Sequence, residues 1–272
     1  MKSRLFWLTR VGAPPLIGLI FFLPFAYLLT QSLQQPKVAP QDIFRVIPQT
    51  LYFSNYLDLF ERYSILPHFR NSLYVEALAV PLTLLTASLA GFAISQVRDP
   101  YRQYLVLGTA VLMLVPLPAL WVPRYILYAI LGWYDQIPTL AAPALMGSNP
   151  FFVLIFYWTF RRLPNGLIEA ARLDGASLFG AWWRIALPLA IPSLIVVGVL
   201  TFTLYWNDYI SPLMYLRTIT NYPMSLRLQL FQGGDETYLP IQMAGVVVTI
   251  APVILLFLAV QHYFWPEGRG RR

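Results

Sequence analysis

Long apolar runs separated by short polar interruptions dominate this chain. A helix needs about 20 consecutive apolar residues to cross the hydrocarbon core of a bilayer. Six stretches qualify: 11–33, 70–96, 103–131, 140–160, 189–214 and 241–264. Prolines fall inside several of them, at Pro14, Pro15, Pro24, Pro81, Pro116 and Pro118. Spanning helices tolerate this where neighbouring groups satisfy the freed carbonyls. In the third stretch Pro116, Pro118 and Pro123, with Arg124 behind them, predict a helix ending near Leu117 and then a short external segment. The pattern predicts an all-α integral membrane protein of six transmembrane helices, one permease-like domain over residues 1–272, with no linker or low-complexity tract. The apolar run behind Lys2, Arg4 and Arg10 has no small-residue cleavage site after it, so it reads as an uncleaved first span.

The basic residues set the orientation. With the N-terminus inside, Lys2, Arg4, Arg10, Arg98, Arg102, Arg161, Arg162, Arg172, Arg184, Arg269, Arg271 and Arg272 face the cytoplasm. Lys37, Arg45, Arg62, Arg70, Arg124, Arg217 and Arg227 are spread over longer external loops. This bias predicts both termini in the cytoplasm. Trp121, Trp133, Tyr134, Trp182, Trp183 and Trp265 fall near the expected boundaries, where interfacial aromatics gather. Composition agrees, with 58% hydrophobic and 11% charged residues, far below the roughly 25% charged of an average soluble domain. The net charge of +7 sits in clusters between apolar runs, a topology signal rather than a nucleic-acid stripe. There is no cysteine, and His68 and His262 have no metal-ligand spacing around them, so no metal and no cofactor is expected. A phosphate-cradling loop needs a lysine after a glycine pair. Lys2 and Lys37 are the only lysines and neither follows one, so the chain is not expected to hydrolyse ATP.

Residues Arg161 to Pro188, between the fourth and fifth stretches, are too polar to span. Pro164 can open a helix, and Leu167, Ala170, Ala171 and Asp174 would share one of its faces. Gly175 suits the left-handed position that ends a helix. Ser177 can cap a second helix, with Leu178, Ala181, Trp182 and Ile185 as its apolar stripe. The result is a helix–Gly–helix elbow in the cytoplasm. On these signals alone an amphipathic hairpin lying on the membrane surface is an equal reading.

Resemblance separates the two. Glu169-Ala170-Ala171, then Asp174-Gly175-Ala176, then Ile185-x-Leu187-Pro188, resembles the EAA loop of binding-protein-dependent ABC permeases. Asn71-Ser72-Leu73, the Trp206-Asn-Asp-Tyr run with Pro212, and the short basic tail resemble the carbohydrate-uptake branch, in particular its maltose-permease-like second subunit. The resemblance covers about residues 10–265. It implies that the elbow is a coupling helix seated in a cleft of a separate ATPase, with Glu169, Ala170, Ala171, Asp174, Gly175 and Pro188 as the docking residues. It also implies a companion permease in a heterodimer, an ATP-binding cassette ATPase dimer and an extracytoplasmic solute-binding protein, all at the inner (cytoplasmic) membrane. The cargo would be a sugar or oligosaccharide; a polyamine or phosphate would use the same machinery. The maltose-type tail is longer, and their companion permease holds most of the sugar contacts.

Acids inside spans are functional suspects. Asn71, Glu76, Trp206, Asn207 and Asp208 are therefore candidate substrate-pathway residues, with interfacial bonding or packing as the plainer alternative for each. The loop at about 216–240, with Asn221-Tyr-Pro and Gln232-Gly-Gly-Asp-Glu, and the segment at about 34–69, with Tyr52, Phe53, Tyr56 and Leu57, could meet the binding protein or be plain surface. A secondary carrier would predict inverted repeats and a membrane enzyme a catalytic cluster; neither is visible.

Overall fold

The computed structural model describes residues 13–36, 50–146, 149–231 and 239–264, and among these all regular structure is helical. Three helices are long and apolar enough to cross a bilayer: α1 (Ala13–Ser32), α3 (Ile65–Gln96) and the last, α12 (Leu239–Phe264). Three further pairs would qualify if each counts as one bent span. They are α4 (Tyr101–Leu112) with α5 (Leu117–Ile130), bent by 89°; a 3-10 stretch (Ile137–Met146) with α6 (Pro150–Arg161), bent by 43°; and α8 (Leu178–Leu189) with α9 (Ile191–Trp206), bent by 83°. Short helices fill the remainder: α2 (Ser54–Glu61), α7 (Asn165–Leu173), α10 (Ile210–Tyr215) and α11 (Met224–Phe231). The described residues thus hold three to six candidate spans.

Proline chemistry explains where the expected boundaries moved. The third run breaks at Leu112 rather than near Leu117, because Pro116 is extended (φ −69°, ψ 133°) and disfavours helix in the residue before it. The short external segment expected next is instead α5, with Pro118 in its first turn, where the missing N–H costs nothing. The fifth run stops at Trp206, and Ile210–Tyr215 forms a separate helix. Lys2, Arg4, Arg10, Lys37, Arg45, the Gln232–Glu236 run, Trp265 and Arg269, Arg271 and Arg272 lie outside the described residues.

Two compact units emerge, residues up to Leu66 with Arg227–Pro252, and Pro67–Leu226 with the remainder. In the first, Asn55 of α2 donates from Nδ2 to the carbonyls of Ser32 (2.8 Å) and Gln34 (2.7 Å), while the Tyr56 and Ser32 hydroxyls lie 2.7 Å apart. These bonds satisfy the end of α1. Outward apolar side chains such as Phe21 (71% exposed) on α1, and Phe53 and Leu57 by α2, suit a bilayer as solvent. In the second unit one core gathers Phe92, Phe156, Phe160, Ile168, Trp182 and Val197. Helix α6 packs against α4 and α9. Gly91 of α3 lies directly on the α6 backbone. A second core joins Val75, Tyr128, Leu140, Tyr215 and Leu216.

Candidate functional site

Pro164 (φ −56°, ψ 125°) precedes α7, and Gly175 ends it at φ +86°. The Ala176 N–H donates to the Ala171 carbonyl (2.9 Å) and the Gly175 N–H to Arg172 (3.1 Å), the paired bonds of a Schellman close. A Cβ at Gly175 would meet nothing within 4 Å, so backbone conformation alone demands glycine there. The Gly180 N–H then donates to Ser177 Oγ at 3.1 Å, which caps α8 as its sequence predicts.

The faces differ from the periodic reading. Ile168 and Ala171 are the buried residues of α7, while Leu167, Ala170, Asp174 and Leu173 (89% exposed) point outward. Of the four residues expected on one face, Leu167, Ala170 and Asp174 share the exposed side and Ala171 turns to the core. Ile168, one residue on from Leu167, is buried in the same core as Trp182 and Phe160. On α8, Ala181 and Trp182 are fully buried and Ile185 partly so, whereas Leu178 is 48% exposed and leaves the stripe. The chain widens into a π turn over Trp182–Ala186, with the Leu187 N–H reaching back to Trp182. This turn opens the ring of hydrogen bonds just where the Pro188 ring would crowd a preceding carbonyl. Glu169 and Arg172 are exposed on the elbow's rim.

The candidate pathway residues fall together in the second unit, and Asn71, Asn207 and Asp208 each use a side-chain atom to bond backbone within the chain. Asn71 Nδ2 donates to the carbonyls of Thr220 (2.7 Å) and Tyr222 (3.1 Å). Asp208 Oδ1 accepts from the Ser211 N–H (3.0 Å) and its carbonyl from Ser225 Oγ (2.8 Å). Asn207 Nδ2 donates to the Thr203 carbonyl at 2.8 Å. Trp206 is 2% exposed, stacked on Phe202 and edge-on to Phe69. Asp208 also lines a small crevice with Ser72, Val75 and Tyr205. Glu76 differs: it is 5% exposed, and neither carboxyl oxygen has a hydrogen-bond partner among the described residues.

A clamp that sequence reasoning missed centres on Asp135. Its Oδ1 accepts from the N–H groups of Arg217 (2.8 Å) and Thr218 (3.0 Å), its Oδ2 from the Thr218 hydroxyl, and its carbonyl from Asn221 Nδ2 (2.8 Å). Partial burial works against its charge, but the Thr218 hydroxyl, these N–H groups and the Asn221 amide outweigh it and hold the carboxyl near pKa 2, below its ordinary 3.8. His68 Nδ1 lies 2.8 Å from the Tyr222 carbonyl, and Ser72 Oγ accepts from the Met224 N–H (2.8 Å). The segment 217–224 is thus tied to the start of α3 and to the turn after α5. One local signal existed, the Gly132-Trp-Tyr-Asp135 string, in which Gly132 and Asp135 take positive φ.

The profile of the family described as binding-protein-dependent transport system inner membrane component matches residues 79–267. The arabinooligosaccharides transport system permease protein AraQ of Halalkalibacterium halodurans is 28% identical over 261 residues, covering 95% of this chain and 92% of its own length. The polygalacturonan/rhamnogalacturonan transport system permease protein YtcP of Bacillus subtilis is 25% identical over 279 residues, covering 97% of this chain and 96% of its own. Among solved structures, a chain of a bacterial ABC transporter involved in import of the acidic polysaccharide alginate superposes with a TM-score of 0.80. The identity there is 21%, with 97% of this chain and 98% of that one covered. The architecture is therefore shared.

Proposed function

We propose that this chain, which belongs to the family of binding-protein-dependent transport system inner membrane components, forms half of the translocation pathway for a sugar or oligosaccharide and couples it to a separate ATPase. It is a permease subunit of an ABC importer and not an enzyme. AraQ and YtcP are named for oligosaccharide and polysaccharide-derived cargo, and this supports a carbohydrate here.

One observation carries the coupling role. Helix α7 is locked from behind by Ile168 and Ala171 and closed by Gly175, and it presents Leu167, Glu169, Ala170, Leu173 and Asp174 outward as a stiff knob. Small Ala170 allows close approach of another backbone, and Glu169 and Asp174 add charged contacts at its edge. The ATPase would seat on this knob, and the 83° joint beside Pro188 would carry its motion into α9. In this reading the chain has six spans, the fifth being α9 with α8 on the cytoplasmic side, and both termini are cytoplasmic. A companion permease completes the pathway, and an extracytoplasmic solute-binding protein delivers cargo at the opposite face. Asn71, Glu76, Trp206, Asn207 and Asp208 would border the pathway, with Glu76 the one carrying free carboxyl oxygens.

The test uses the reconstituted complex with its binding protein. Glu169→Lys and Gly175→Pro should lower uptake at least tenfold while ATP hydrolysis persists uncoupled from cargo. Normal uptake by both variants overturns the docking role. A labelled panel of arabino-, galacturono- and alginate oligosaccharides, a polyamine and phosphate assigns the cargo, and uptake of the last two alone overturns the carbohydrate reading.

A further inference from the structure

Beside the elbow lies a cleft of about 270 Å³ whose lining includes Arg98, Arg102, Arg161 and Arg172, with Glu169 as its carboxylate. These arginines come from different elements: the link after α3, the first turn of α4, the last turn of α6 and the last turn of α7. Arg102 pairs with Asp99. Arg98, Arg161 and Arg172 make no ion pair among the described residues and are exposed. Glu169 can offset one of them, so uncompensated positive charge remains in a concave site. Half-buried Leu163 adds some apolar surface to a lining that is mostly polar, with Phe160 and Ile168 of the buried core behind it.

Its height is set by the helices around it. Two apolar helices run out here, α3 at Gln96 and α6 at Arg161. Tyr101 (71% exposed) and Tyr104 (69%) lie at the start of α4, and Trp158 (56%) lies one turn before the end of α6. Exposed tyrosine and tryptophan collect at the lipid headgroups. Further along the same two helices, Leu105 on α4 and Phe151 on α6 present exposed apolar surface.

We propose that this cleft binds the phosphodiester headgroup of an anionic phospholipid. Planar guanidinium groups bind phosphate oxygens through paired charge-assisted hydrogen bonds. The exposed apolar faces of α4 and α6 would take the acyl chains. An ATPase carboxylate would satisfy the charge but leave the exposed aromatic and apolar side chains of α4 and α6 unanswered. Of the elbow's outward residues Glu169 reaches the cleft lining, whereas Leu167, Ala170, Leu173 and Asp174 do not. The inference rests on α3 and α6 lying in the membrane and not on the elbow's docking role.

The test is native mass spectrometry of the delipidated intact complex, titrated separately with phosphatidylglycerol, phosphatidylcholine and inorganic phosphate. Wild type should retain phosphatidylglycerol in preference to phosphatidylcholine. Arg98→Gln/Arg161→Gln should weaken that retention about 30-fold, from roughly 1 kcal/mol per basic residue at the headgroup level. Arg98→Lys/Arg161→Lys, which keeps the charge but loses the paired bonds, should fall between wild type and the Gln variant, which separates charge loss from misfolding. Equal retention of the two lipids overturns the proposal, as does an unchanged affinity in the Gln variant. Inorganic phosphate that displaces the lipid at its own micromolar level would assign the cleft to a free anion instead. Loss of the ATPase with lipid retention intact would assign it to a protein partner, and either result overturns the lipid site.

Discussion

Gly91→Ala tests how closely α3 and α6 must approach. A Cβ built there would sit 2.7 Å from Phe156 Cβ, 2.7 Å from the Tyr157 nitrogen and 2.8 Å from the Val153 carbonyl oxygen. Carbon pairs settle at about 3.5–4.0 Å, so the helices must part by roughly 1 Å. Two of the three obstacles are backbone atoms, and no rotamer change moves them. Helix α6 cannot retreat freely, because fully buried Phe156 stacks on Phe160, which meets Phe92 edge-on at 5.4 Å. Overpacking of this kind costs about 1–3 kcal/mol, and the backbone clash places Gly91→Ala in the upper half. Helix propensity acts in the other direction, favouring alanine over glycine by about 0.8–1.0 kcal/mol. At Gly108 in α4 an added Cβ would meet nothing within 4 Å, so Gly108→Ala isolates that propensity gain. Denaturant unfolding in mild detergent, followed by tryptophan fluorescence, should show Gly108→Ala equal to or more stable than wild type and Gly91→Ala about 1–2 kcal/mol less stable. Gly91→Ala as stable as Gly108→Ala would refute the close approach.

Gly175→Ala should cost about 1–2 kcal/mol for the left-handed backbone, and Gly175→Asn less; unfolding midpoints of the two variants check the order. For Asp135 the fold lowers the pKa to about 2, so its contribution is complete above about pH 4 and is lost as pH falls through about 2. Stability curves of wild type and Asp135→Asn should run parallel from about pH 5 to 8 and converge below about pH 4; constant separation down to about pH 2 would contradict this. Glu76→Gln should leave the unfolding midpoint unchanged and raise the uptake KM several-fold, and unchanged KM would remove Glu76 from the pathway.

Much of the frame was legible because its signals are local. Runs of apolar residues define α1, α3 and α12, and Pro164, Gly175 and Ser177 each act within one turn of themselves. The facing of α7 was not, since Leu167 and Ile168 are adjacent and only tertiary packing selects between them. Tertiary polar bonds were hidden for another reason. Asn71 and His68 bond to carbonyls near 220–222, and Asp135 to the 217–221 segment, partners far away in the chain. Their polarity in and around apolar runs is visible, but whether it serves a solute or a distant backbone carbonyl is decided by the fold. Glu76 shows the other outcome, a polar group that this chain leaves unanswered among the described residues.

The joint at Ala190 gives the chain a bell crank. Its shorter arm, Leu178–Leu189, is about 18 Å long and its longer arm, Ile191–Trp206, about 24 Å, at 1.5 Å per residue. The pivot is stiff, with Ala181, Ala186 and Ala190 all fully buried around it. In the proposed coupling role, a push of about 3 Å near Ser177 would become a sweep of about 4 Å near Trp206, turned through almost a right angle. A straight helix would only transmit such a push along its own axis.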